Sequence, residues 1–294
     1  MKTFVITLLI CLSSNTWAYH KPQHEKISLE AVKEYNRRYT EQIDPIMVDL
    51  FVKGVLSEDY TVNLVCKHYN QHFIHPTKKV IKKKKSANRR IKELGEKLDS
   101  LIDKKKPSKT SKIYRIVGKL VHYLQDFTNP SHVVPVHHLG GDGFDQIKLE
   151  KHFFSIPFDS SCYTKSQLKP WNTLEELTVI ASEITLSSLD ESFTVIEDGE
   201  IKTATFDDFW KRDSSKPWFS DYGRFGNSWG KTHFFVSKEP NKKEHYETFN
   251  KRKKNTFSFV VSPSVYRKYN AQQVLLAREL SVLALRYVYL KMRN

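Results

Sequence analysis

Most apolar residues of this chain fall three or four positions apart, the spacing of one helix face. From His24 to Lys53 the spacing serves two faces, Ile27, Ala31, Val32 and Tyr35 first, then Ile46, Leu50 and Phe51. Asp44-Pro45 supplies an N-cap followed by proline at the first helical position, so a second helix starts there. Its expected end is Gly54, with Leu56-Ser57-Glu58-Asp59 as a loop, and residues 61–75 resume a helical or turn-rich pattern up to Pro76. Ile91, Leu94, Leu98, Leu101 and Ile102 keep helical spacing through a lysine-rich stretch. The clearest helix is Ser111 to Thr128, whose broad stripe carries Ile113, Ile116, Val117, Leu120, Val121 and Leu124, and Asn129-Pro130 stops it. Residues 172–190 hold Leu174, Leu177, Ala181 and Ile184 in register, and a last helix is expected from Ala271 to about Met292.

Between about 192 and 268 the character changes. Thr, Phe, Trp, Gly and Pro increase, and short extended runs stand at Glu200 to Phe206 and Thr256 to Val261. The pattern predicts a mainly all-α, multi-helix fold with long loops and a small hairpin inserted before the last helix.

The first residues change the picture of where that fold begins. Lys2, the apolar run Phe4 to Leu12 and the sequence Thr16-Trp17-Ala18 read as a signal peptide over residues 1–18. Cleavage after Ala18 leaves one domain, 19–294, with Tyr19 at its new N-terminus, exported to the periplasm or outside the cell. No other segment has an apolar run long enough to span a bilayer. Cys66 and Cys162 remain in the mature chain and could form one disulfide; without a CxxC pair, a cysteine-based structural zinc site is excluded. The 294 residues suffice for a sizeable core, and 5 Trp, 14 Tyr and 18 Phe argue against disorder. A net charge of +15 favours anionic partners: phospholipid surfaces, nucleic acid or other phosphates. Nothing in the sequence calls for an obligate protein partner.

Candidate chemistry concentrates in His122-Tyr-Leu-Gln-Asp126. A spacing of four puts imidazole and carboxylate on one helix face, within reach of a single ion. Pro130 breaks the helix and His132 follows, giving His-x3-Asp-x5-His, a donor set suited to zinc. His24 stands near the start of the mature chain, and 54–76 adds Glu58, Asp59, His68, His72 and His75. The residues alone do not choose among these.

The order of the motifs resembles the zinc-dependent phospholipase C family, whose fold is shared with the S1/P1 nucleases. The carrying residues are His24-Glu-Lys-Ile-Ser, Gly54 with Glu58-Asp59, and His72-Phe-Ile-His-Pro76. Gly118 with His122-x3-Asp126-x3-Pro130-x-His132 and the acidic stretch Asp142 to Glu150 complete them. The resemblance covers about residues 19 to 152 and implies a helical domain with up to three zinc ions. His72, His122 and Asp126 would hold one, and Asp126 would bridge to a second held by His24 and the free N-terminus. That terminus is Tyr19, or Trp17 if cleavage follows Thr16, since the family most often begins with Trp. His132 would hold the third with Asp145 and Glu150, where this chain departs from the family's His and a Glu four residues on, making the site harder and more anionic. Asp59 matches the residue expected to position or deprotonate the attacking water, with Glu58 as the alternative base.

The implied activity is hydrolysis of glycerophospholipids to diacylglycerol and a phosphorylated head group. A nuclease or nucleotidase on the same scaffold is the alternative, with nucleic acid as substrate. A non-enzymatic exported binding protein with a degraded metal site is the third. The aromatics between Phe209 and Trp229 read as core or as a substrate lip. N-terminal sequencing of the exported protein should return Tyr19; a protein that retains Met1 would lack the terminal amine that the resemblance assigns to the metal.

Overall fold

The computed structural model describes residues 21–59, 74, 87–103, 107–133, 149, 151–156, 170–197, 200–205, 234–236, 259–261 and 263–293. Among them the chain forms six helices: α1 (Lys21–Arg38), α2 (Pro45–Ser57), α3 (Asn88–Ile102), α4 (Thr110–Asp126), α5 (Leu174–Ser188) and α6 (Pro263–Arg293). The strands are short: β1 (Ser192–Glu197), β2 (Glu200–Thr205), β3 (Phe234–Val236) and β4 (Phe259–Val261). The mainly helical architecture expected from the periodicity is the one adopted. The signal segment, Tyr19, Cys66, His72, Asp145, Glu150, Cys162 and the aromatics from Phe209 to Trp229 lie outside the described residues. Among the described residues, no helix is long and apolar enough to cross a membrane.

Local chemistry sets the helix ends. Asp44 accepts the Ile46 N–H at 2.7 Å, with Pro45 as the first residue of α2. Thr173 accepts the Glu176 N–H at 3.1 Å, and the Glu176 carboxylate accepts the Asn172 N–H at 2.6 Å, a close variant of the reciprocal capping box. At the end of α4, the Phe127 N–H bonds the Tyr123 carbonyl at 3.0 Å and the Asn129 N–H bonds that of Asp126 at 2.8 Å. The Thr128 hydroxyl donates to the Gln125 carbonyl at 2.8 Å. The carbonyls of Tyr123, Gln125 and Asp126 are thus satisfied before the short 3-10 turn Pro130–His132 begins.

Helix α4 is the axis of the molecule's described part. From Ile116 to Asp126 every residue except Lys119 is buried, as befits a helix covered on all sides. It packs against α2, α3, α5 and α6, while α1 lies against α2 and α6. The shared core includes Phe51 and Val55 of α2, Leu94 and Leu98 of α3, Val117, Leu120 and Leu124 of α4, Leu177 of α5 and Leu280 of α6.

The α2–α4 contact departs from the sequence expectation. Gly54 does not end α2; the helix runs through it to Ser57. A Cβ on Gly54 would stand 2.3 Å from the carbonyl oxygen of Arg115, and one on Gly118 would stand 2.1 Å from that of Phe51. Backbone meets backbone here, and only a residue without Cβ permits it. Gly54 is therefore a crossing residue, not a terminator. Asp59 lies five residues beyond it and His122 four residues beyond Gly118, so both leave the crossing toward the same end.

A second difference is the start of α6, which begins at Pro263 and spans 31 residues. Its added first turns show no apolar repeat because they bury polar groups. The Tyr269 hydroxyl lies 2.9 Å from that of Ser188, which also accepts from the Gln273 amide at 2.9 Å. The expected hairpin is β1–β2, paired antiparallel from Ser192↔Thr205 to Glu197↔Glu200. Strand β4 joins the other edge of β1 and pairs in parallel with β3, giving the order β2-β1-β4-β3. The extended runs read from the sequence contain β2 and β4.

Alanine at either crossing glycine gains up to about 1 kcal/mol in helix propensity. The clash costs roughly 1–3 kcal/mol or more. Gly54→Ala and Gly118→Ala are therefore expected to lower stability in urea unfolding. A gain in either variant would refute a backbone-limited crossing.

Candidate metal centre

Three separate stretches of chain converge beside the α2–α4 crossing. His24 comes from the first turns of α1, Asp59 from just past α2, and His122 and Asp126 from the last turns of α4. Relative exposures are 1% for His24, 2% for Asp59, and 0% for His122 and Asp126, so none is a solvated surface group. His132, at 2%, is buried nearby on the Pro130–His132 turn, where its carbonyl accepts the Ile74 N–H at 3.0 Å.

His24, Asp59 and His122 each place one ligand atom within 4.8 Å of the others, a group that could hold a metal ion. Asp126 lies astride the same pair of histidines. Its Oδ1 is 3.3 Å from His24 Nε2 and its Oδ2 is 3.2 Å from His122 Nε2. Asp59 repeats the arrangement from the other side, with Oδ2 at 4.0 Å from His24 Nε2 and Oδ1 at 3.7 Å from His122 Nε2. The two imidazoles stack at 4.3 Å between ring centroids. Each carboxylate thus turns one oxygen toward each imidazole.

The electrostatics follow from two acids in one buried space. Burial alone would lower the His24 pKa, but its hydrogen bond to Asp126 and the charges of Asp59 and Asp126 outweigh burial and raise it. Burial alone would raise Asp126, yet the His122 and His132 charges, with hydrogen bonds from His122 and His24, hold it well below the usual carboxylate range. The pair demands positive charge, from protonated imidazole or from a cation. Asp59 Oδ2 is buried without a hydrogen-bond partner among the described residues, so it can meet an ion or accept a proton from water. Nitrogen and carboxylate donors together suit a divalent metal, zinc among them. The residues present therefore fit such an ion.

The His-x3-Asp-x5-His run is thus only part of the centre. The structure brings His24 and Asp59 to His122 and Asp126, and places His132 near enough for its charge to act on Asp126. Asp59, expected as the base, stands inside the ligating group itself. Tyr19, His72, Asp145 and Glu150 lie outside the described residues. Sequence reasoning gave no role to Gln125, whose Oε1 lies 2.7 Å from His24 Nδ1. Its signal was a polar residue set among the buried positions of α4.

Glu58, the alternative base, is engaged elsewhere. Its carboxylate accepts from Arg90 at 3.0 and 3.1 Å, from Lys119 at 2.5 Å and from the Tyr123 hydroxyl at 3.0 Å. Burial would raise its pKa, but Arg90 and Lys119 prevail and bring it from 4.5 to about 2. No family model, curated protein or solved structure matches the chain, so the centre is read from its own residues.

A carboxyl whose pKa is depressed on folding stabilises the fold above its unfolded value and loses that contribution as pH falls through the folded one. For Glu58 the window runs from about 4.5 down to about 2, and the shift corresponds to stability on the order of 3 kcal/mol. Glu58→Gln should cost about that much at neutral pH, and its deficit against the wild type should shrink across the window. Chemical unfolding of both proteins from pH 7 downward measures it; a deficit that stays constant contradicts the assignment.

Proposed function

We propose that the chain is an exported, zinc-dependent phospholipase C that hydrolyses glycerophospholipids to diacylglycerol and a phosphorylated head group. One observation carries the reading: His24, Asp59 and His122, from distant parts of the chain, form a buried group able to hold a metal, with Asp126 against both histidines. The order of motifs along residues 19 to 152 supplies the family, and the net charge of +15 suits an anionic phosphate substrate.

In this reading His24, His122, Asp126 and Asp59 hold zinc. The chemistry it supplies when bound is Lewis acidity, which acidifies water and offsets charge gathering on a phosphate. Asp59 Oδ2 is the acceptor for the proton of the attacking water. The new bond joins water oxygen to phosphorus, and the bond between phosphorus and the glycerol oxygen breaks. The proton taken up at Asp59 matches the one the departing glycerol oxygen requires. His24 and His122, stacked and buried, hold their Nε2 atoms toward the carboxylates.

The test is zinc analysis of the mature protein together with assays on phosphatidylcholine vesicles and on single-stranded DNA. Bound zinc and release of a phosphorylated head group are expected, with His122→Ala reduced to background while its circular dichroism stays helical. Cleavage of DNA without phospholipid turnover would move the chain to the nuclease reading. Zinc without either activity would leave a binding protein, and absence of zinc would sink the mechanism.

A further inference from the structure

Gln125 sits between His122 and Asp126 on α4, is fully buried, and takes no part in the hydrolysis just proposed. Its amide reaches two other helices. Oε1 is 2.7 Å from His24 Nδ1 on α1. Nε2 donates to the Ser28 hydroxyl of α1 at 3.0 Å and to the Ser281 hydroxyl of α6 at 3.3 Å. The two ends of an amide are told apart by their partners. Ser281 decides the matter, because its hydroxyl already donates to the Ala277 carbonyl at 2.7 Å. A hydroxyl has one hydrogen, so toward Gln125 the Ser281 oxygen can only accept. The amide NH2 therefore faces the serines, and the amide oxygen faces His24.

An amide oxygen accepts and never donates, so His24 Nδ1 carries the hydrogen. Nε2, the nitrogen turned toward Asp126 at 3.3 Å and Asp59 at 4.0 Å, is then the atom that can exchange its hydrogen for a metal. We infer that Gln125 is a positioning residue, oriented through Ser281, that fixes His24 in the tautomer and ring setting that present Nε2 to the metal centre. The inference rests on the metal-centre part of the proposed function, not on phospholipid as substrate. The second partner of a metal-bound histidine sets its tautomer and orientation, and removing such a partner typically weakens metal affinity about 10- to 100-fold. A merely structural amide tying α1, α4 and α6 would change stability without fixing a tautomer.

The experiment reads the His24 tautomer by nitrogen-15 NMR in zinc-loaded protein, and zinc affinity by competition with a chelator. The wild type should carry hydrogen on Nδ1. Gln125→Met keeps the volume but loses the acceptor; it should show a mixed tautomer and zinc affinity lower by about 10- to 100-fold. Hydrogen on Nε2 in the wild type, or an unchanged tautomer and affinity in Gln125→Met, overturns the inference. Should Gln125→Met fail to fold, the wild-type tautomer alone still decides. A wild type that takes up no zinc sinks the hydrolase reading, while a wild type that binds zinc with affinity and tautomer indifferent to Gln125→Met overturns the role of Gln125 alone.

Discussion

The contact between Gly54 and Gly118 is the constraint on which the centre depends. Two helices with side chains at their crossing stay about 8–10 Å apart. Here the Gly118 Cβ position would be only 2.9 Å from the Gly54 Cα, so the backbones themselves touch. Asp59 has a short carboxylate side chain, and on the turn just past this close contact it lies 3.7 Å from His122. The apolar core around Phe51, Val55, Val117 and Leu120 keeps the contact shut. Packing thus holds together the chain segments that carry Asp59 and His122.

What could be read in advance follows from the range of each signal. Helix-forming stretches announce themselves locally, through apolar period and caps such as Asp44-Pro45 and Thr173-x-x-Glu176. His122 and Asp126 were legible for the same reason, since a spacing of four on one helix is geometry within a single element. The convergence of His24 and Asp59 on them is a relation between elements, carried by how α1 and α2 pack, and periodicity says nothing about that. Gly54 misled because a glycine near a helix end and a glycine at a crossing look alike in one sequence. The early turns of α6 were missed because they bury Tyr269 and Asn270 in place of aliphatic residues, which breaks the apolar repeat.

Glu58 and Asp59 show how adjacent acids can take opposite parts. Both are buried, and each would by itself raise the cost of folding. Glu58 turns to Arg90, Lys119 and Tyr123, and its charge is answered wholly by protein groups. Asp59 turns the other way, to two imidazoles whose own charge depends on a proton or is displaced by a cation. The first arrangement needs nothing from outside the chain and serves the fold. The second is balanced only conditionally, because Asp126 shares the same two imidazoles. An ion that enters this space replaces protons as the source of positive charge, so its binding energy is at the same time stabilisation of the folded chain. Glu58 anchors the turn from which Asp59 departs, so its ion pairs with α3 and α4 hold in place the acid that faces the two imidazoles.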